Sequence, residues 1–329
     1  ILETGKLSEI INIKNKEKVI KELIKIHSIG SKRAIELFNK YAFGTRFYTV
    51  VGGLFQKNYA TYEKSQPTTQ TDVFANVVAV LSDRSRINVG GRLSGHNTYG
   101  SNFTYSINPS YQLIKTPSNS LKLLAALSTA YIAPSLYQLY DPYSGNSELK
   151  PEENQSFEFG FVLNSSEWEI SSTYFQRVED PSLIYDLSTY RYENANENAR
   201  YNGVEAQISG SFSDKIKINN QLTFTQTKNG DLRYLPRFSS QTQISYDFHA
   251  QWQTNLSFQA IGERFGLDNE TLLSAYQLLN FSLQYTFRKT PLRLFLQATN
   301  LLNVTYVEIE NYTTRGRNVL GGFTLRLPY

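Results

Sequence analysis

Apolar and polar residues alternate through most of this chain of 329 residues. From Arg46 onward there are about fourteen segments of roughly ten residues in which every second side chain is apolar. The intervening positions hold Gln, Asn, Ser, Thr and Lys, so each segment would form a strand with one apolar and one polar face. The pattern predicts an all-β, antiparallel protein. The clearest segments are Val73 to Leu81, Phe157 to Leu163, Ile216 to Phe224, Trp252 to Ala260, Leu279 to Phe287 and Leu292 to Ala298.

The predicted connections between these strands alternate between short and long. Short turns are predicted at residues 82–84, 115–119, 164–167, 213–215, 249–250 and 289–290. Longer connections are predicted at residues 57–70, 96–101, 133–153, 178–199, 228–235, 262–274 and 303–317. A soluble sandwich would need connections of similar length, whereas bacterial membrane barrels combine short periplasmic turns with longer extracellular loops. Strands of this length also suit a tilted crossing of an outer membrane. The alternation therefore favours a transmembrane β-barrel.

The first 44 residues follow a different, helical pattern. Apolar residues recur at helical spacing from Val19 to Ile24 and again from Ile35 to Phe38. This segment holds nine basic and five acidic side chains, which accounts for the whole net charge of +4, so the remaining residues are balanced. We therefore predict two units, a short all-α segment at residues 1–44 and the barrel at residues 45–329. We expect the junction between them to be an unnatural fusion.

A turn in the N-terminal segment carries candidate nucleic-acid chemistry. Gly30 would precede a helix whose free backbone N–H groups and neighbouring cations could face a phosphate. The stretch resembles the helix-hairpin-helix of family X DNA polymerases over about forty residues, a short motif with a real false-positive risk. An ordinary basic helical hairpin is the open alternative, and no polymerase activity is implied because no catalytic carboxylate trio follows. The resemblance implies DNA-backbone contacts by Gly30, Ser31, Lys32 and Arg33, and a monovalent cation on the backbone carbonyls of Ile24, Ile26 and Ile29.

The C-terminal stretch from Asn318 to Tyr329 alternates strictly and stops on an aromatic ring. One face of the predicted strand carries Phe323, Leu325, Leu327 and Tyr329. The pattern resembles the closing strand of bacterial outer-membrane barrels. That resemblance implies that the barrel-assembly machinery reads these residues as its signal.

Several motifs in the strand region carry a more specific resemblance. They are Tyr131 to Tyr140, Gly145 to Glu152, Phe157 to Gly160, Tyr201 to Glu205, Leu235 to Phe238, and Ala298 to Asn303 followed by Tyr306. Over residues 45–329 the chain resembles TonB-dependent outer-membrane receptors and, within that family, cobalamin receptors. Siderophore receptors share most of these motifs. The resemblance implies a bacterial outer-membrane location, a small-molecule nutrient as ligand, and energy supplied by the TonB complex.

Loop aromatics and one cation are candidates for ligand contact. Their flat faces could stack against a large ligand. An aromatic girdle at the membrane interface is the alternative role for those nearest the strand ends. The candidates are Tyr137, Tyr140, Tyr143, Tyr185, Tyr190, Arg191 and Tyr192.

Composition argues against catalysis and against a helical membrane anchor. The chain has no Cys, which removes disulfides and thiolate metal sites, and no apolar run approaches 18 residues, which excludes a transmembrane helix. His27, His96 and His249 lie in different settings, so we expect no shared metal site and no cofactor. A nucleophile elbow and a phosphate-binding loop are also missing. We predict a non-enzyme, with an outer-membrane protease or lipase as the formal alternative.

These patterns together predict part of a receptor. Transporter barrels of this kind have about 22 strands around a plugged lumen, and this sequence supplies about fourteen without a plug or a TonB-binding box. We therefore expect a receptor fragment in contact with outer-membrane lipid. A general porin, formed if the shorter sheet closes, is the second hypothesis. A DNA-binding module at residues 1–44 is the third.

Overall fold

The computed structural model describes residues 25–29, 32–60, 66–230 and 233–326. These residues form strands almost throughout, as the alternating pattern predicts. The twenty described strands are, in chain order, β1 (Lys25–Ile29), β2 (Lys32–Phe43), β3 (Phe47–Asn58), β4 (Thr68–Val80), β5 (Ser85–His96), β6 (Gly100–Lys115), β7 (Ser120–Ile132), β8 (Glu152–Asn164), β9 (Trp168–Glu179), β10 (Leu183–Asp186), β11 (Arg191–Asn194), β12 (Ala199–Ser213), β13 (Ile216–Lys228), β14 (Phe238–His249), β15 (Trp252–Ile261), β16 (Arg264–Phe265), β17 (Leu272–Leu273), β18 (Tyr276–Thr286), β19 (Leu292–Thr299) and β20 (Asn318–Leu325).

Sixteen of these strands form one antiparallel sheet in which each strand pairs with the next sheet strand along the chain. Only β10, β11, β16 and β17 stand outside it, as two small hairpins inside long connections. Fourteen of the sixteen sheet strands follow residue 46, which confirms the number predicted from the pattern. The fold is therefore an up-and-down meander.

The alternation of connection lengths is also confirmed, with one exception. Tight turns join β4 to β5, β6 to β7, β8 to β9, β12 to β13, β14 to β15 and β18 to β19. The connection after β5, predicted to be long, is a tight turn because both flanking strands extend to residues 96 and 100. The long connections run over residues 59–67, 133–151, 180–198, 229–237, 262–275 and 300–317. All of them leave the same edge of the sheet as the turn after β5, and the other tight turns occupy the opposite edge.

Register separates the sheet into an apolar face and a polar face. Val73 lies opposite Gly53 and Leu93, and Leu93 lies opposite Phe103, so apolar positions form rows across neighbouring strands. Residues one position away form the polar rows, such as the row that contains Asp72. No second layer covers the apolar rows in the described part of the chain, where Val73 stays 64% exposed and Phe103 62% exposed. A continuous apolar surface of this kind marks contact with a membrane or a partner.

The sheet is open along its two outer strands. Strand β1 pairs only with β2, and β20 pairs only with β19, so no ladder between described residues joins the two ends. The described strands therefore do not close into a barrel, as expected for the partial barrel that the sequence predicts. What is present is a large antiparallel sheet with the pairing order of a barrel wall.

The predicted helix-hairpin-helix is wrong where the chain is described. Strands β1 and β2 form a hairpin, and β2 occupies the residues expected to be helical. The physical reason lies in an ambiguous pattern, because Ile35, Leu37 and Phe38 fit helical spacing while Ile35, Leu37, Tyr41 and Phe43 also fit alternation. The segment forms a strand because β2 pairs with β3 along its whole length.

The predicted domain boundary falls in a β-hairpin. Residues 44–46 form the tight turn between β2 and β3, and Phe43 lies opposite Phe47 across it. The basic segment from residue 32 onward therefore continues into the sheet. Most of the predicted helical segment, including Gly30 and Ser31, lies outside the described residues.

One short helix, α1 (Leu136–Tyr140), is present in the described residues. Ser135 begins it with a capping box, in which the Ser135 Oγ accepts from the Gln138 backbone N–H and Gln138 Oε1 accepts from the Ser135 N–H. Among the described residues, no helix has the length and apolar character needed to cross a membrane.

Candidate ligand-binding loops and the adjoining cavity

Helix α1 belongs to the long connection at residues 133–151, which folds into a compact loop. Leu136 and Leu139 are buried on the inner side of the helix. After the helix, the Asp141 carboxylate accepts from the Ser144 hydroxyl at 2.7 Å and from the Ser144 backbone N–H at 2.9 Å. These two hydrogen bonds lower the pKa of Asp141, with a smaller contribution from the Tyr143 N–H. At neutral pH the Asp141 carboxylate, at the C-terminal end of α1, is therefore ionised.

The hairpin of β10 and β11 is attached to this loop by reciprocal hydrogen bonds. The Tyr192 N–H donates to the Ser144 carbonyl at 3.0 Å, and the Asn146 amide donates to the Tyr192 carbonyl at 3.0 Å. The Lys150 N–H donates to Asn194 Oδ1 at 2.7 Å, and Asn194 Nδ2 returns a bond to the Lys150 carbonyl at 3.0 Å. Residues 133–151 and 180–198 therefore form one unit, which we call the loop unit.

Three of the seven predicted ligand-contact residues meet in an aromatic cluster of the loop unit. The Tyr137 and Tyr192 rings lie edge to face with centroids 6.0 Å apart, and the Tyr185 and Tyr192 rings do so at 5.1 Å. Burial, followed by the neighbouring Tyr137 and Tyr185, raises the pKa of Tyr192. The rings pack against each other, so part of their surface is used to build the loop unit.

The other four predicted residues divide into two pairs. Tyr140 and Arg191 line a cavity of about 830 Å³ between α1 and β11, and Glu148 also lies in its wall. Tyr143 and Tyr190 stand free of the cavity, 88% and 66% exposed. The structure thus brings together Tyr137, Tyr185 and Tyr192 in one place and Tyr140 and Arg191 in another.

One further tyrosine at this edge was not singled out from the sequence. Tyr99 lies in the tight turn between β5 and β6, beside Tyr131 and Tyr140. Burial, followed by Tyr140 and Tyr131, raises the pKa of Tyr99 to about 12, and its hydroxyl is buried without a hydrogen-bond partner. No local signal marks Tyr99, because its neighbours come from strands and loops distant in the sequence.

A second cavity, of about 680 Å³, lies on the polar face next to the loop unit. Glu158, Arg177, Tyr201 and Glu205 line it. The Arg177 guanidinium lies 2.6 Å from Glu179 and over the Tyr201 ring at 5.0 Å from its centroid. The walls therefore carry both charge signs together with an aromatic ring, a surface able to bind polar groups of either sign.

The predicted N-terminal sites depend on a helix, and the structure has a strand in its place from Lys32 onward. Lys32 and Arg33 begin strand β2, so no helix N-terminus forms beside them, and DNA contact there stays a prediction without its expected geometry. Ile26 and Ile29 lie in β1, and Ile24 lies outside the described residues, so the monovalent-cation site also stays a prediction. Within the described ranges, no three His, Cys, Asp or Glu side chains gather as a metal site would require.

The predicted assembly signal is described in part. Phe323 and Leu325 lie on the apolar face of β20, opposite Leu294 and Leu292, and both are exposed. Leu327 and Tyr329 lie outside the described residues. Recognition by the assembly machinery stays a prediction.

Comparison with known proteins places these features in a family. The family model described as "TonB dependent receptor-like, beta-barrel" matches residues 27–301, and the match begins within β1. The Vitamin B12 transporter BtuB of Vibrio cholerae is 27% identical over 303 residues, covering 87% of this chain and 48% of that protein. A Vitamin B12 transporter BtuB of Photobacterium profundum is 25% identical over 239 residues, covering 69% of this chain and 38% of that protein.

Solved structures show the same fold. The ferric enterobactin receptor PfeA of Pseudomonas aeruginosa superposes with a TM-score of 0.73 at 19% identity, covering 89% of this chain and 53% of that one. The copper transporter OprC gives a TM-score of 0.73 at 16% identity, covering 89% and 56%. The chain thus spans about half the length of these proteins. Because the family match covers most of the sequence, the chain belongs to the TonB-dependent receptor β-barrel family.

Proposed function

We propose that this chain forms part of a bacterial outer-membrane receptor that takes up a bulky, scarce nutrient of the cobalamin or siderophore type. The observation that carries the proposal is an antiparallel sheet with an uncovered apolar face and long connections gathered at one edge. Apolar outward rows, tight turns on one side and long loops on the other are the plan of outer-membrane barrels. The relatives bearing the names Vitamin B12 transporter and ferric enterobactin receptor support the nutrient classes.

In this proposal the loop unit makes the first contact with the nutrient. Tyr140 and Arg191 in the loop cavity offer a stacking face and a cation, and the exposed Tyr143 and Tyr190 extend that surface outward. The hydrogen bonds through Asn194 hold the two loops in one arrangement, which reduces the ordering cost of binding. The rigid platform supports recognition of a large ligand by several weak contacts.

The polar face then provides the path through the membrane. The cavity lined by Glu158, Arg177, Tyr201 and Glu205 lies next to the loop unit on the side away from the apolar rows. In the complete receptor we propose that the periplasmic TonB complex supplies the energy for passage. The apolar face contacts outer-membrane lipid, and Phe323 and Leu325 belong to the strand that we propose the assembly machinery reads.

Ligand binding by the refolded full chain tests this proposal. In detergent, cobalamin or a ferric siderophore should bind saturably, and Tyr140→Ala should weaken that binding about tenfold, as loss of an aromatic anchor does. Tyr48→Ala is the matched control, because Tyr48 lies near the tight-turn edge and should leave the dissociation constant unchanged. Equal loss in both variants, or no saturable binding of either ligand class, would contradict the proposal.

A general porin is a second candidate, favoured by one observation. The sheet has sixteen strands, an even number, and barrels of about 16 to 18 strands enclose an aqueous channel. If β1 and β20 paired in the bilayer, the polar face would line such a channel. Single-channel recordings separate the two functions, because a porin gives large, steady conductance and no saturable nutrient binding.

A further inference from the structure

Two cations face each other on the apolar face, at the edge where the long connections leave. Arg33 of β2 and Lys57 of β3 are direct register partners. Both side chains flank the Tyr59 ring, with the Arg33 guanidinium carbon 5.8 Å and the Lys57 ammonium 5.1 Å from its centroid. Neither cation forms an ion pair with a carboxylate of the described residues. Like charges directly opposite in a sheet repel, so this arrangement favours a bound anion.

A groove lies on the same face, farther from that edge. It has a volume of about 790 Å³ and is open because Gly53, Ala75 and Gly91 present little or no side chain to it. The Phe103 ring leans over Gly91, where an added Cβ would lie 3.1 Å from the ring. The rim of the groove consists of the apolar and aromatic residues Leu37, Tyr41, Val51, Val73, Leu93 and Phe103.

An apolar track connects the cation pair to the groove. Ile35 and Phe55 are register partners between them, and both are exposed. Gly53 lies four residues before Lys57 in β3, a distance of roughly 13 Å at about 3.3 Å per residue. One leaflet of a membrane is about 15 Å deep, half of the hydrocarbon core. A lipid with its headgroup at the cations would therefore place its acyl chain in the groove.

We propose that Arg33, Lys57 and the groove bind one membrane lipid that carries an anionic phosphate group. The phosphate lies between the guanidinium and the ammonium, where charge-assisted hydrogen bonds to both are strongest. One acyl chain crosses Ile35 and Phe55 and ends over Gly53 and Gly91. This inference rests on the proposed function, because it requires the apolar face to lie in a membrane.

A second cation pair provides a comparison within the same molecule. Arg200 of β12 and Lys228 of β13 are also direct register partners on the apolar face, at the same edge of the sheet. Farther from this edge on the same face, Val204 lies opposite Phe224 and Ala206 opposite Leu222, so side chains occupy the positions that glycines hold in the groove. This pair has the two cations without the glycine-floored groove, so it serves as the matched control.

The test measures lipid retention by the full chain. The chain is refolded into vesicles of phosphatidylcholine containing a minor fraction of phosphatidic acid, extracted in mild detergent, and weighed by native mass spectrometry. The double variant Arg33→Gln/Lys57→Gln should retain phosphatidic acid about 30-fold more weakly, because each cation near a membrane surface contributes roughly fivefold. Arg200→Gln/Lys228→Gln should retain it as the unaltered chain does. Equal losses in both double variants would overturn the site.

A third variant tests the groove with all cations in place. Ala75 is exposed on the groove floor, so Ala75→Leu fills the groove without a buried clash and should also lose retention. Ala206→Leu, on the same face outside the groove, is its control and should not. Protease protection of the strands reports membrane insertion separately. If the chain inserts and retains phosphatidic acid equally in all variants, the lipid site alone is overturned. If the chain does not insert, the proposed function is overturned and this site with it.

Discussion

The two faces of the sheet share one backbone and differ in how their side chains find partners. On the apolar face, large residues such as Val73 and Phe103 stay exposed and make few polar contacts. On the polar face, Asp72 is 1% exposed, although it lies beside Val73 in the same strand. Gln70 Nε2 donates to both Asp72 oxygens at 3.0 Å, and Arg92 forms an ion pair with the same carboxylate. The apolar face therefore depends on contact with its surroundings for stability. The polar side chains hydrogen-bond to one another.

A cation placed on the apolar face should have the largest effect. Val73→Arg lies near the middle of β4, where a charge facing lipid should lower the free energy of unfolding by about 2–4 kcal/mol. Unfolding of the bilayer-inserted chain in urea measures this change. Asn76→Arg, on the polar face of the same strand, is the control and should cost much less. Similar losses at both positions would show that the two faces are not distinguished by lipid.

Removing a hydrogen-bonding partner from the polar face should have the next largest effect on stability. Asp72→Ala removes the acceptor of the Gln70 bonds and the partner of Arg92. We expect a loss of about 1–3 kcal/mol, near the value for an unsatisfied buried group, because the partly exposed Arg92 can regain water. A double-mutant cycle with Arg92→Gln in the same urea assay isolates the pair. Additive losses would mean that the contact contributes no coupling.

Glycines on the two faces differ in the space available for an added side chain. Gly203, on the polar face, lies under the Phe175 ring, and an added Cβ would be 2.1 Å from the Phe224 carbonyl oxygen and 2.7 Å from that ring. Gly203→Ala should therefore cost about 1–2 kcal/mol through forced displacement. Gly95, on the apolar face, would meet its nearest atom at 3.6 Å, an ordinary contact. Gly95→Ala should be near neutral in the same measurement, and a loss as large as that of Gly203→Ala would contradict this steric account.

The faces and turns were readable from the sequence because alternation is local, whereas the loop contacts were not. The segment from Val73 to Leu81 predicts β4 to within a few residues, since its apolar side chains repeat every second position. The segment from Ile35 to Phe38 fits two periods, and only pairing with β3 resolves it. The bonds between Asn194 and Lys150 join residues far apart in sequence, and no local pattern records them. The helix α1 was not predicted, although Ser135 and Gln138 have the spacing of a capping box.

The smallest expected effect concerns pH and the edge where the long connections lie. The Thr271 hydroxyl, followed by the Thr271 and Glu270 backbone N–H groups, lowers the pKa of Asp268 to about 2 from its ordinary value of 3.8. A lowered pKa means that the ionised carboxylate stabilises this turn above about pH 4, and that the contribution is lost as the pH falls towards 2. The protection of the Thr271 amide against hydrogen exchange, relative to its intrinsic rate, should therefore decrease over this window. Asp268→Asn removes the titrating group and should abolish that pH dependence, while an amide within a sheet strand, such as that of Leu256 in β15, should keep its protection in both proteins. An unchanged pH dependence in Asp268→Asn would contradict this assignment and would place the acid-sensitive group elsewhere at the loop edge.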